Sequence, residues 1–163
     1  MTVSEKSRLT IELPSDTEIV MRRTFDSPRE LVFDAFTKRE HLVHWWGPKG
    51  STLSVCEMDA RPGGKWRMVI READGSDNGF GGEVREVRRP ERFVWTFGWD
   101  GAPGQDGPEE MTFEERDGKT TVTTRSLFPS KEVRDMIIQH GMEEGAAQSL
   151  DRLAEHLAKV RAA

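Results

Sequence analysis

Residues 93–99 read Phe-Val-Trp-Thr-Phe-Gly-Trp, with an aromatic side chain at every second position. Because successive side chains of a β-strand point to opposite faces, this spacing puts all four rings on one face of a strand. Residues 64–72 place Trp66, Met68 and Ile70 in the same alternation. The two segments predict parts of one sheet with an aromatic face, and such a face needs a cover.

The same alternation extends over most of the chain between residues 51 and 128. Turn sequences separate its segments, and Asp117-Gly118 is typical of a two-residue hairpin turn. Connections this short require antiparallel pairing. Together with a strand at residues 17–25, they predict an antiparallel sheet of six to seven strands. Its other segments are 51–60, 64–72, 79–88, 91–100, 110–117 and 119–128.

Helices are expected on either side of this region. Ser27-Pro28-Arg29-Glu30 is a helix-start sequence with Ser27 as the capping residue, and it predicts the first of two short helices, with the second near residues 38–46. The last 30 residues predict a long helix with a bend or a junction at Gly141 and Gly145. Its apolar stripe consists of Leu150, Leu153, Leu157 and Val160.

Length and charge exclude several classes of protein. The 163 residues fit one domain, expected over residues 17–163, with residues 1–16 as a tail or a short strand. A net charge of −5 argues against nucleic-acid binding. No run approaches the roughly 18 apolar residues of a membrane span. The single cysteine, Cys56, excludes an internal disulfide and fits the cytoplasm.

The width of the sheet predicts a cavity. Four aromatic side chains bury roughly 600–1,000 Å², whereas a helix is only about 10–12 Å across with its side chains. One long helix therefore covers such a face incompletely. Either the sheet curls tightly around the helix, or a cavity is left between them.

Several motifs in order resemble the SRPBCC (START/birch-allergen-like) superfamily, and within it the homologues of the heat-shock protein 90 ATPase activator. The resemblance covers about residues 17–160 and implies an α+β helix-grip fold, in which a curved sheet surrounds the C-terminal helix and a hydrophobic pocket. The motifs are Phe25-Asp26-Ser27-Pro28, His44-Trp45-Trp46-Gly47-Pro48, Asp59-Ala60-Arg61-Pro62-Gly63-Gly64, Gly82-Glu83-Val84 to Pro90-Glu91-Arg92-Phe93, and Gly141-Met142-Glu143-Glu144-Gly145 leading to Leu150-Asp151-Arg152-Leu153.

The candidate ligand-binding residues are the aromatic row and its predicted neighbours. Small-molecule sites usually have apolar walls with few polar groups. For Trp45-Trp46 two interpretations stay open: an indole at the pocket mouth, or one ring closing the end of the barrel with the other on the surface. The candidates are Trp46, Trp66, Met68, Phe93, Trp95, Phe97, Trp99, Met136 and His140.

The sequence offers weak candidates for chemistry. His140 lies one helical turn from Glu143 and Glu144, and two interpretations stay open: a partly exposed helix histidine, which we favour, or an acid–base group that projects into the cavity. His41 and His44 lie three residues apart without an evident third ligand, so we predict no metal site and no cofactor.

We therefore expect a protein that binds a small hydrophobic molecule, aromatic or polyketide-like, without catalysis. The alternatives are a cyclase, dehydratase or hydrolase that uses the same cavity, or a chaperone-interaction module. A homodimer stays open.

Overall fold

Nine strands form one antiparallel sheet in the computed structural model, which describes residues 2–6 and 8–162. Their order across the sheet is β1-β2-β3-β9-β8-β7-β6-β5-β4. The strands are β1 (Thr2–Lys6), β2 (Leu9–Glu12), β3 (Glu18–Phe25), β4 (Thr52–Met58), β5 (Lys65–Arg71), β6 (Asp77–Arg88), β7 (Arg92–Trp99), β8 (Gly107–Arg116) and β9 (Lys119–Leu127). The predicted hairpin is confirmed: Asp117 and Gly118 both have positive φ angles between β8 and β9.

The sheet is wider than the expected six to seven strands. The two additional strands are β1 and β2, which lie within the segment expected to be a tail or a short strand and extend the sheet beyond β3. The alternation of Leu9 and Ile11 explains this, because both side chains are buried and belong to a small cluster with Ile19 and Ala147. Burial of apolar side chains offsets the entropy cost of ordering the segment.

Four helices accompany the sheet in the described part of the chain: α1 (Arg29–Thr37), α2 (Arg39–Trp45), α3 (Lys131–Gln139) and α4 (Met142–Ala162). The prediction of Ser27 as the cap of α1 is wrong. Pro28 precedes the helix directly, and the Ser27 carbonyl accepts a hydrogen bond from Thr120 Oγ1 at 2.7 Å, which ties Ser27 to β9. No helix in the described ranges is both long and apolar enough to cross a membrane.

The expected junction in the C-terminal helix is confirmed at Gly141. This residue has φ +84° and separates α3 from α4, a conformation that glycine adopts without steric cost. Gly145 lies inside the first turn of α4.

The inner face of the sheet packs against α1, α2 and α4 in two apolar clusters. The larger one joins rings of β5 and β7 to α1, α2 and the α4 residues Leu153 and Leu157. The smaller one joins β2 and β3 to Ala147 of α4. Leu150 packs against both clusters and so connects them.

An ion pair connects the sheet to α4. Arg23 lies on the inner face of β3, only 8% exposed, and its Nη1 donates to Asp151 Oδ1 of α4 at 2.6 Å. The guanidinium also lies 5.3 Å from the centre of the Phe25 ring. Removing one side of a buried pair leaves the other charge poorly solvated, so this contact helps to fix the helix over the sheet.

We expect Arg23→Ala to lower the free energy of unfolding by about 2–4 kcal/mol, because it removes a buried side chain and its charge-assisted hydrogen bond to Asp151. Arg22→Ala is the control. Arg22 points to the outer face and pairs with Glu12 at the surface, so its loss should cost less than about 1 kcal/mol. Urea denaturation of both variants measures the difference, and equal losses would contradict a special role for the Arg23 pair.

Candidate functional site

The inner face of β5, β6 and β7 carries a continuous group of rings, which we call the aromatic wall. The indoles of Trp66 and Trp95 are stacked, with ring centres 4.0 Å apart and planes 17° apart. Phe93 and Phe97 flank Trp95 on the same strand at 5.5 and 5.9 Å. The members of the wall are Trp46, Trp66, Phe80, Phe93, Trp95 and Phe97.

Trp45 and Trp46, at the end of α2, have different roles. Trp45 is 2% exposed and donates its indole N–H to the carbonyl of Ala35 at 3.0 Å, so it is a core residue. Trp46 is half-buried, with its ring centre 5.3 Å from Phe80 and 6.3 Å from Trp66. Trp46 therefore completes the aromatic wall from the helical side while keeping surface in contact with solvent.

A polar row crosses the sheet beside the aromatic wall. Strand register aligns Trp95 of β7 with Glu109 of β8, and Glu109 with Ser126 of β9. Ser126 is in turn opposite Ile19 of β3, a member of the smaller apolar cluster. Thr124 lies on the same face, opposite Met111. Polar side chains thus occupy the part of the inner face that lies between the two apolar clusters.

Glu109 is the group of greatest chemical interest in this row. Its Oε1 accepts the indole N–H of Trp95 at 2.9 Å, and its Oε2 accepts the hydroxyl of Ser126 at 2.7 Å. Burial raises the pKa of the Glu109 carboxyl, and the two hydrogen bonds only partly oppose this shift. No ion pair among the described residues includes Glu109.

Solvent reaches part of this region. Phe93, Trp95 and Ser126 are buried, but Phe97, Glu109 and Thr124 keep partial exposure on the inner face. A molecule that reaches the inner face can therefore contact these three side chains. The partly exposed side chain on β7, Phe97, is apolar, whereas those on β8 and β9, Glu109 and Thr124, are polar.

The structure brings most of the predicted ligand-binding residues together, but not all of them. Trp46, Trp66, Phe93, Trp95 and Phe97 form the wall, and Met68 is fully buried in the larger cluster. Trp99 lies at the end of β7, where its indole N–H donates to Asn78 Oδ1 at 2.6 Å. Met136 of α3 is half-buried and belongs to neither apolar cluster of the described residues.

The predicted acid–base group is separate from the polar row. His140 is exposed at the end of α3, where its Nδ1 lies 2.8 Å from the Met136 carbonyl and its ring lies 5.3 Å from that of Trp99. Glu144 is also exposed and accepts a hydrogen bond from Gln148, while Glu143 is half-buried. These side chains therefore lack the enclosed surroundings of Glu109.

Three histidines meet where α2 packs on α4. His41 Nδ1 lies 2.8 Å from His156 Nε2, and the His44 ring stacks on His156 with centres 5.1 Å apart. Burial, together with His41, His44 and Lys159, lowers the pKa of His156. A search of the described residues finds no group of three or more side chains arranged to hold a metal ion.

Two concavities, of about 700 and 530 Å³, open on the outer side of β5–β7. Arg67 and Asp100 line both of them and hold each other through two hydrogen bonds of 2.8 and 2.6 Å. Because these charges already satisfy each other, the outer concavities offer less for ligand recognition than the inner face does.

Sequence reasoning missed Glu109, Ser126 and Phe80. Glu109 lies one residue before the strand predicted at 110–117, although it continues the alternation of Met111 and Phe113. A strand extended by that one residue places a carboxylate on the aromatic face. Ser126 and Phe80 give no comparable signal, because their importance comes from the strands that pair with theirs.

Comparisons with known proteins agree with this architecture. A family model described as Activator of Hsp90 ATPase homolog 1-like protein matches residues 26–158. A crystal structure from Rhodobacter sphaeroides superposes with a TM-score of 0.86 at 22% identity and covers 93% of this chain and 98% of its own. A search of curated proteins finds no match.

Two further solved structures are similar over most of both chains. A solution structure from Staphylococcus epidermidis has a TM-score of 0.77 at 29% identity and covers 91% of this chain and 93% of its own. The AHSA1 protein from Silicibacter pomeroyi has a TM-score of 0.72 at 25% identity, with coverage of 86% and 97%. The helix-grip fold is thereby confirmed.

Replacing Glu109 by Gln should stabilise the protein increasingly as the pH rises. A carboxyl whose pKa is raised by folding stabilises the protein below its ordinary pKa of about 4.5, and this contribution is lost as the pH rises through the folded-state pKa. Glutamine carries no charge, and its amide can accept from the Trp95 indole and donate to the Ser126 hydroxyl. Denaturation curves between pH 4 and 8 measure the effect, with Glu110→Gln, on the outer face beside Arg92, as the control. If the difference in the free energy of unfolding between wild type and Glu109→Gln stays constant with pH, the prediction is wrong.

His156 should make the protein less stable as the pH falls below about 6.5. Its pKa is lowered in the folded state, so the unfolded chain takes up a proton first and the free energy of unfolding falls. His156→Gln should therefore lose less stability than the wild type between pH 7 and 5.5. The exposed His140→Gln serves as the control, and identical curves for wild type and His156→Gln would refute the assignment.

Proposed function

The chain belongs to the family of Activator of Hsp90 ATPase homolog 1-like proteins, within the SRPBCC superfamily, and on this basis we propose that it binds a small hydrophobic molecule between the sheet and α4. The ligand occupies the inner face where the aromatic wall meets the polar row. The helix-grip fold supports this location, because the aromatic wall and the polar row lie on the face of the sheet against which α4 packs.

One observation carries the proposal: a mostly aromatic inner surface retains accessible area beside a few hydrogen-bonding groups. Phe97 and Trp46 supply partly exposed rings, while Glu109 and Thr124 supply polar atoms within the same region. Small-molecule sites have this composition, because apolar walls provide affinity and a few polar groups fix orientation.

The rings favour a flat, aromatic or polyketide-like ligand. A planar molecule can stack against Phe97 or Trp46 with the offset or edge-on geometry that the wall's own rings adopt. Such contacts add roughly 0.5–1.5 kcal/mol for each ring pair beyond the burial of area.

The first experiment screens for such a ligand. The purified protein is tested by native mass spectrometry for a copurified molecule and by thermal shift against a panel of planar apolar compounds. A ligand that binds only the folded state raises the melting temperature in proportion to its occupancy. Absence of both a copurified molecule and any stabilisation across the panel would overturn the proposal.

Filling the space should block binding without unfolding the protein. Thr124→Phe adds a ring on the inner face, so we expect panel ligands to bind at least tenfold more weakly, while the free energy of unfolding changes by less than about 1 kcal/mol. Thr123→Phe, one residue away on the outer face opposite Arg22, should leave binding unchanged. Calorimetric titration and urea denaturation give the two measurements.

The opposite result is also informative. If Thr124→Phe loses about 1–3 kcal/mol of stability and Thr123→Phe does not, the interior is already filled and a ligand has no room.

Acid–base catalysis in the same cavity is the second candidate function, and Glu109 favours it. A carboxyl whose pKa is raised by burial next to apolar rings holds its proton to higher pH than an exposed carboxyl, which suits a general acid. Once a convertible ligand is found, Glu109→Gln should abolish turnover, whereas His140→Ala should leave it intact. Unchanged turnover in Glu109→Gln would exclude this role.

Chaperone interaction is less well supported. Val43 and Leu127 are the exposed large apolar side chains of the described residues, and they lie on different elements, α2 and β9. A contiguous apolar patch is the usual mark of a docking surface.

A further inference from the structure

The Glu109 carboxyl forms no ion pair among the described residues, in contrast to its sequence neighbour Glu110. Glu110 pairs with Arg92 at 2.7 Å on the outer face, and Glu83 pairs with Lys65 at 3.0 Å. On the inner face, Glu109 has two neutral donors, Trp95 and Ser126. The inner face therefore holds an acidic group that two hydrogen bonds orient beside the aromatic wall and that has no ion-pair partner among the described residues.

This arrangement leaves bonding capacity for a ligand. An ionised carboxylate has about four acceptor positions, and the two protein donors use one on each oxygen. Burial without a counter-charge is unfavourable, as the raised pKa of Glu109 shows. A ligand that brings a positive charge relieves this cost, whereas a neutral ligand supplies only a weaker hydrogen bond and an anionic ligand is repelled.

The surroundings of Glu109 suit a ligand with an apolar part. Trp95, which donates to its carboxylate, stacks on Trp66 and lies 5.5 Å from Phe93. The carboxylate favours a positive charge, while the partly exposed rings of Phe97 and Trp46 favour an apolar body.

We propose that the hydrophobic ligand of this site is an apolar amine, whose ammonium group binds the Glu109 carboxylate while its hydrocarbon or aromatic part lies against the aromatic wall. This inference rests on the proposed function and adds the chemical class of the ligand. The amine binds through a charge-assisted hydrogen bond, and no covalent step is involved.

Two probes of equal shape test it. 2-(1-Naphthyl)ethylamine and 2-(1-naphthyl)ethanol differ only in the ammonium and hydroxyl groups at neutral pH. Isothermal titration of the wild-type protein should show the amine binding at least about tenfold more tightly than the alcohol, since hydrogen bonds between charged groups are worth more than neutral ones. This preference is measured on the unaltered chain and does not depend on any variant folding.

Matched variants assign the preference to Glu109. Glu109→Gln should reduce the ratio of amine to alcohol affinity to about one, because the amide still bonds Trp95 and Ser126 but carries no charge. Glu110→Gln removes the neighbouring charge on the outer face and should leave the ratio unchanged. Thermal melts of both variants accompany the titrations to show that each is folded.

The possible failures are distinguishable. If the wild type binds both probes with equal affinity, or prefers the alcohol, the cavity function stands and the amine inference is overturned. A preference that persists in Glu109→Gln also overturns it, because the ammonium group then binds elsewhere. If neither naphthyl probe nor any member of the apolar panel binds, the proposed function fails and this inference fails with it.

Discussion

A single long helix covers a sheet of nine described strands, and this difference in width governs the rest of the structure. Strands lie about 4.8 Å apart, so nine strands span roughly 40 Å, three to four times the width of α4 with its side chains. The chain compensates with α1 and α2, whose Phe33, Phe36 and Trp45 fill one end of the inner face. The other end is closed by β2 and β3 against Ala147 of α4.

Between these two ends the inner face carries polar as well as apolar side chains. Ordinary packing would continue the apolar side chains across the sheet, but the row from Trp95 to Ile19 passes through Glu109 and Ser126 instead. Buried polar groups cost free energy unless they are paired. Hydrogen bonds from Trp95 and Ser126 offset part of this cost for Glu109, and its position beside the aromatic wall gives a ligand both apolar area and a group to orient it. The family membership and the inner-face chemistry therefore lead to the same proposed function.

Most of the fold follows from local patterns in the sequence. Alternation defined the central strands to within a few residues, the Asp117-Gly118 pair fixed one hairpin, and Gly141 marked the break between α3 and α4. The candidate site was only partly predictable. The spacing of the aromatic residues of β7 predicts that their rings share one face. In contrast, the amphipathic pattern around His140 does not indicate which part of the helix meets the sheet. Trp46 and Phe80 come from distant segments, and nothing in the local sequence shows that their rings lie 5.3 Å apart.

The sequence by itself determined the antiparallel sheet, the aromatic face of β7 and the order of the helices, because side-chain periodicity and turn residues act over a few neighbouring positions. Tertiary structure alone decided that Glu109 meets Trp95 and Ser126, and that Arg23 reaches Asp151. Both contacts depend on strand register and on the placement of α4, which result from packing of the whole core. Charge pairing and burial depend on this tertiary arrangement. For this reason nothing in the local sequence around Glu109 shows that its carboxylate is enclosed and oriented by hydrogen bonds in the fold.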